Sequence, residues 1–235
     1  MSARFDAAIE VLSRPHLVDE DLTDSVLVAI PMSGAAVSTL GRFLGSETVS
    51  ASDEIAARID ELQLDLGEGP CWDSVDLGRP ILEPDIRNHP RRNWPAFSDA
   101  LREEQVGALF AFPLSIGAMH IGALDLYNER PAELPLEQAE QVAAITDLIS
   151  RHVLRRAVRL AGNLEEDGQT RHSRRTIHQA TGFVIAQLGI SAEDAHALIQ
   201  GQALTERRSM RAIADDIVSR RLTFRMVENR IEDVR

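Results

Sequence analysis

The chain has 235 residues with 44% apolar composition, enough core for one or two domains of about 150 residues and too apolar for wholesale disorder. Its net charge is −12, all 25 basic residues are arginine, and the single cysteine, Cys71, excludes an internal disulfide and fits a reducing cytosol. The N-terminal MSARFDAAIEVLSR is amphipathic and broken by charge, and no apolar run approaches bilayer length, so a soluble cytoplasmic protein is expected.

Along the chain, Phe5, Ile9 and Leu12 fall on one side of a helix around Ala3–Ser13. The apolar run Val26–Ile30 continues as helix until Pro31 must end or kink it. From Ala35 the period shortens. Ala35–Leu40 and Glu47–Val49 predict strands around Gly41 and Gly45, and Ser50 or Ser52 opens a helix carrying Ile55, Ile59 and Leu62. Val106–Leu114 and His120–Asn128 predict a hairpin turning at Ile116-Gly117-Ala118; in its second strand Ile121, Ala123, Asp125 and Tyr127 alternate with Gly122, Leu124 and Leu126.

Pro135 starts a long helix, with Glu137 and Glu140 near its start and Arg151, Arg155, Arg156 and Arg159 near its end, in the sense that complements the helix dipole. Ala139, Val142, Ile145 or Thr146, Ile149, Val153 and Leu160 form an apolar seam that runs past the expected end of the domain. Two readings stay open: a homodimer contact through the 136–160 helix, or one helix packed on its own sheet. Ala161–Gly168 reads as a linker, which sets the expected divisions at 1–160, 161–170 and 171–235.

Beyond the linker three short helices are expected. Ile177, Ala180, Thr181, Val184, Ile185 and Leu188 line the first, which Gly189 stops. Ser191 and Asp194 make a capping box for the second, lined by Ala195, Leu198, Ile199 and Ala203. Ser209 caps the third, lined by Met210, Ile213, Ala214, Ile217 and Val218. Residues 169–235 hold 11 arginines against 8 acids, a net of +3, while residues 1–168 hold 14 against 29, a net of −15. Such a split suits one domain that meets a polyanion and another that does not.

No catalytic constellation is visible. Cys71 lies in a Gly-Pro loop with no histidine nearby in sequence, the seven histidines lack metal-ligand spacing, and there is no phosphate-binding glycine loop. For nucleic acid, Arg175, His178, Gln179 and Gly182 recur at helical spacing on a stripe away from the apolar face. Arginine can neutralise phosphates or stack on a base, histidine can stack, glutamine can read a base edge, and glycine permits close approach. Arg207, Arg208 and Arg211 form a second basic cluster. With only Phe183 and Phe224 as aromatics in this region, a sheet-type stacking platform is excluded. Each arginine taken singly also fits a solvated surface charge.

Leu66-Gly67-Glu68-Gly69-Pro70-Cys71, Pro80-Ile81, Asp85, Trp94-Pro95-x-Phe97, Phe112-Pro113-Leu114 and Ile121–Tyr127 together resemble a GAF domain. Arg174-Arg175, Gln179-Ala180-x-Gly182, Gly189-Ile190-Ser191, Glu193-x-Ala195, Leu198 and Ala203 resemble an ANTAR domain, and the order matches GAF–ANTAR regulators of the actinobacterial type. The resemblance implies an α+β sensory domain, an antiparallel sheet flanked by helices, followed by an all-α three-helix bundle. It also implies no enzymatic activity. The bundle would bind hairpin loops in nascent transcripts, as a dimer, and act in transcription antitermination. Arg174 and Thr181 join the contact set by position, although many relatives carry lysine where this chain has Thr181. The GAF domain would exert control through a small-molecule ligand, a protein contact or a dimer rearrangement, and the sequence requires no cofactor. A haem or bilin held through Cys71 or His120 stays open, whereas sulfoxide reduction would need more than one cysteine. The alternatives are a bundle that binds duplex DNA, one that serves protein interaction, and an enzyme centred on the GAF domain.

Overall fold

The computed structural model describes residues 3–14, 16–41, 44–88, 93–162, 174–227 and 230–234. The chain divides into two compact units, Met1–His172 and Ser173–Arg235, each with its own core.

The first unit runs α1 (Ala3–Leu12), α2 (Glu20–Ala29), β1 (Gly34–Thr39), β2 (Glu47–Ala51), α3 (Glu54–Leu66), α4 (Pro70–Leu77), β3 (Ile81–Glu83), α5 (Pro95–Ala100), β4 (Ala108–Ile116), β5 (Met119–Asn128) and α6 (Leu136–Gly162). Its strands form an antiparallel sheet of order β2-β1-β5-β4-β3, with β5 at the centre. Side chains alternate across a strand, so β5 sends Leu124 and Leu126 into one core and Tyr127 into the other. The first core is closed by α1, α2 and α6, the second by α3 and α5. Burying one such leucine stabilises the fold by about 1.5–3 kcal/mol.

Two short elements here escaped the sequence reading, β3 and α5. A third was misread: the Gly-Pro segment around Cys71 is helical from Pro70 onward. Gly69, at φ 135°, makes the turn, and a side chain there would collide with Gln63. Pro70 then occupies the first helical turn, where its missing N–H is no loss.

In α6 the structure corrects the argument made from the seam. Val142, Ile145, Ile149 and Val153 are at most 1% exposed and belong to the core beneath the sheet. One helix packed on its own sheet therefore accounts for the seam as far as Val153. Past it, Arg156 Nε donates to Asp19 Oδ2 at 2.9 Å and Arg156 Nη1 to Glu47 Oε1 at 2.6 Å; just before it, His152 Nε2 lies 2.9 Å from Asp19 Oδ1. The large apolar side chains that α6 leaves exposed among its described residues are Leu136, Val158 and Leu160. The helix includes Ala161 and Gly162, where the linker was expected to begin; residues 163–170 of that linker lie outside the described residues.

The second unit contains α7 (Arg175–Leu188), α8 (Ala192–Glu206), α9 (Met210–Val218), β6 (Thr223–Val227) and β7 (Arg230–Val234). Gly189 closes α7 in the left-handed region at φ 67°. Ser191 Oγ accepts from Asp194 N at 3.0 Å and Ser209 Oγ from Ala212 N at 3.2 Å, caps worth about 1 kcal/mol each. Ile177, Ala180, Val184, Ala195, Ile199 and Ile213 anchor the core. The three helices are those expected, but β6 and β7 add an antiparallel strand pair to what was read as an all-α segment. Phe224 secures it: the ring is buried and its N–H donates to Gln187 Oε1 at 2.9 Å.

Candidate functional site

On α7 the described residues separate cleanly into two faces. Ile177, Ala180 and Val184 are buried, while Arg175, His178, Gln179 and Gly182 are exposed. A Cβ added at Gly182 would meet nothing within 4 Å, so the packing of this unit does not require glycine there. Thr181 sits at the border, half-buried, and its hydroxyl donates to the Ile177 carbonyl at 2.8 Å, a bond that occupies it within the helix. The stripe has one member that the sequence reading passed over: Phe183 is 37% exposed beside Gly182. It lies four residues after Gln179, so helical spacing alone identifies it.

The basic residues divide between α7 and the α8–α9 corner. Arg174 Nη2 lies 3.9 Å from Met210 Sδ, which brings the start of α7 to the start of α9 and sets Arg174 and Arg211 at one end of the bundle. Arg207 closes α8 in the left-handed region at φ 52° and is exposed. Arg208 bridges helices: Nη1 donates to Glu206 Oε2 at 3.0 Å and Nη2 to Asp216 Oδ2 at 2.7 Å. Those bonds raise the Arg208 pKa, Asp216 first, and the reciprocal bond from Arg208 lowers that of Asp216. Its charge is thus already offset within the bundle.

In the first unit a cavity too narrow to hold a water molecule lies between α3 and the sheet, lined by Ala36, Ala56, Ile59, Leu109, Asp125 and Tyr127. Asp125 is 4% exposed on the central strand, between Ala36 and Ala111 of its neighbours. Gln63 Nε2 donates to Asp125 Oδ2, whereas Asp125 Oδ1 is buried with no hydrogen-bond partner. Asp60 on α3 is also buried and accepts from Thr48 Oγ1 at 2.5 Å. Burial, then the like charge of Asp60, push the Asp125 pKa well above the usual carboxylate range against the Gln63 bond. The same burial and both carboxylates push up the thiol of Cys71, which is fully buried, so it stays protonated and unreactive as a nucleophile. At the cavity's edge Tyr127 donates to Asp53 Oδ1 at 3.0 Å, and Asp53 caps α3 through Ala56 N at 2.8 Å. Only glycine fits at position 34, because a Cβ there would overlap both Asp53 and the Tyr127 ring.

The GAF domain family matches residues 18–154 and the ANTAR domain family matches residues 168–218. The chain belongs to the GAF–ANTAR family. The GAF match spans the sheet, α2 to α5 and α6 as far as residue 154, and the ANTAR match spans α7 to α9. Both are regulatory domains, a sensor followed by an ANTAR output, and neither is an enzymatic one. The GAF domain of a phosphoenolpyruvate-protein phosphotransferase from Acinetobacter is similar at 11% identity, with 71% of this chain and 100% of that chain covered and a TM-score of 0.52. The corresponding GAF domain from Coxiella burnetii is similar at 15% identity over 68% of this chain and 95% of that one, with a TM-score of 0.51. At these identities the likeness shows the fold alone. No curated protein matches the sequence. No described helix of this GAF–ANTAR protein is long and apolar enough to cross a membrane.

Proposed function

We propose that this GAF–ANTAR protein is a cytoplasmic transcription antitermination regulator that binds hairpin loops in nascent RNA under control of its GAF sensor. The observation that carries the reading is the exposed α7 stripe, Arg175, His178, Gln179, Gly182 and Phe183, within a segment that matches the ANTAR family. Splayed loop bases are recognised by stacking and by hydrogen bonds to their edges, and this stripe offers an aromatic ring, an imidazole and an amide side by side. Arg174, Arg207 and Arg211 extend it with charge for phosphates. Arg208, held by two carboxylates, contributes less, and Thr181 supports the stripe from its border. Residues 169–235, at +3, present this surface while residues 1–168, at −15, repel nucleic acid, which favours RNA over a protein partner.

The protein acts as a regulator rather than a catalyst, with residues 1–160 as sensor, 161–170 as linker and 171–235 as RNA-binding domain. It acts as a homodimer through the exposed end of α6 at Val158 and Leu160, which its own core leaves uncovered. Sequencing of RNA cross-linked to the protein in its native cell tests the reading. Recovery of paired short hairpins upstream of genes supports it, and recovery of no RNA above a protein lacking residues 171–235 contradicts it.

A further inference from the structure

We propose that the segment from Arg220 to β6 is a phosphate contact for RNA whose loop bases lie on α7, with Arg220 and Arg225 holding its backbone. The proposal rests on the RNA-binding function proposed above and extends that surface past the ANTAR match, which ends at residue 218.

Three observations combine. The first is charge. Residues 168–218 hold 6 arginines against 5 acids, a net of +1, whereas residues 219–235 hold 5 against 3, a net of +2. Most of the net positive charge of residues 168–235 thus lies past the family match. The second is what the arginines touch. Arg208 and Arg221 both bond to Asp216, so their charge is offset within the unit. Arg220 and Arg225 are exposed, and neither side chain makes a hydrogen bond or ion pair among the described residues. Glu232 opposes Arg225 in the β6–β7 ladder, yet no ion pair joins the two. Arg220 also occupies the left-handed region at φ 60°, which glycine adopts with less strain. Both guanidinium groups are left for an outside anion.

The third observation is where these cations sit. Arg175, Gln179, Phe183 and Gln187 follow one another at four-residue steps on α7 and are all exposed, so they form one row about 18 Å long. The row ends on β6, where Gln187 Oε1 accepts from the Phe224 N–H at 2.9 Å. Leu222 and Phe224 are buried in the bundle core, and side chains alternate along a strand, so Arg225 points away from that core beside the end of the row. Base-edge contacts carry sequence, while phosphate contacts fix register and orientation. The row supplies the first and the two arginines the second. An acidic protein segment would match the cations but not the ring and amide beside them.

The test uses the full chain and two fluorescent RNAs, each a pair of short hairpins, that differ only in loop sequence. The parent, a combined Arg220→Gln and Arg225→Gln variant, and a combined Arg220→Lys and Arg225→Lys variant are titrated by anisotropy at several salt concentrations and melted without RNA. The glutamine variant should bind both RNAs roughly tenfold more weakly at about 0.1 M salt, with their affinity ratio kept. Its log–log salt slope should be shallower by about 1 for each arginine removed. The lysine variant, which keeps the charge, should retain the slope of the parent, and all three proteins should melt alike. A glutamine variant with the affinity and slope of the parent overturns the proposal and leaves the α7 stripe standing. A slope reduced equally in the lysine variant, or a loss of affinity that comes with a lowered melting temperature, overturns it too. A parent that binds neither RNA contradicts the RNA-binding function itself, and the phosphate contact falls with it.

Discussion

Arg156 Nε donates to Asp19 Oδ2 at 2.9 Å, joining the last third of α6 to the residue that precedes α2. Arg156 is 5% exposed, and its second nitrogen reaches Glu47 on β2. This bridge fixes the path of α6 where its apolar seam has ended. Replacing Arg156 by alanine leaves two partly buried carboxylates without their cation, and the GAF unit is expected to lose about 2 kcal/mol. For Asp19, burial raises the pKa, but the bond from His152 and the charge of Arg156 outweigh it and hold the carboxyl below its ordinary value. An acid with a lowered folded-state pKa stabilises above its unfolded pKa of about 3.9, and that stability is lost as pH falls further. Urea melts between pH 3 and pH 6 should show a shallower acid limb for Asp19→Asn than for the parent.

Asp125 has the opposite sign. Its folded-state pKa is raised, so the folded protein binds a proton that the unfolded chain releases, and stability falls as pH climbs above about 3.9. Asp125→Asn removes that dependence and keeps the acceptor for Gln63. At pH 7 to 8 the variant should be more stable than the parent by about 1–3 kcal/mol, and the difference should vanish in acid. A variant less stable than the parent at pH 8 would show the carboxylate to be paired in the fold.

Much of this was legible in the sequence, for reasons tied to particular residues. Gly189, Ser191 and Ser209 punctuate the C-terminal helices with local chemistry, and the structure finds each at its cap. The β4–β5 hairpin follows from alternation and a glycine turn. What was not legible depends on tertiary cover. The alternation in β5 does not tell whether both its faces are covered, and α3 lies over the face that carries Asp125 and buries it. The seam on α6 looks unfinished in one dimension, whereas α1 and the sheet close it. The β6–β7 strand pair depends on Phe224 reaching α7, a contact that no local pattern announces.

The dimer is expected at the exposed end of α6. Val158 is 65% exposed there and Leu160 39%, beyond the residues that the sheet covers. Val158→Glu should therefore shift sedimentation from dimer toward monomer and leave the melting temperature of the GAF unit unchanged. Val153→Glu should instead unfold that unit, because it puts a charge into the core at a cost of several kcal/mol. A parent protein that sediments as a monomer at high concentration contradicts the dimer.

On the ANTAR surface the expected effects separate by chemistry. Phe183→Ala should weaken RNA by about 1–3 kcal/mol through lost stacking, with little change in stability. Gln179→Ala should relax discrimination among loop bases. Arg208→Ala should act mainly on the fold, by about 0.5–1 kcal/mol after allowance for its solvent exposure, since its bonds go to Glu206 and Asp216. Paired measurements of RNA affinity and melting temperature for the three variants distinguish these outcomes.

The central claim is that the exposed α7 stripe selects looped RNA, and a competition titration tests it most directly. The full protein is titrated by fluorescence anisotropy with an RNA hairpin pair and with duplex DNA of the same sequence, at several salt concentrations. The hairpin should bind more tightly, with a log–log salt slope of about −0.7 for each phosphate contacted in the loop. Equal or tighter binding to the duplex, or RNA affinity unchanged in a combined Arg175→Ala, Gln179→Ala and Phe183→Ala variant that still melts as the parent does, would contradict it.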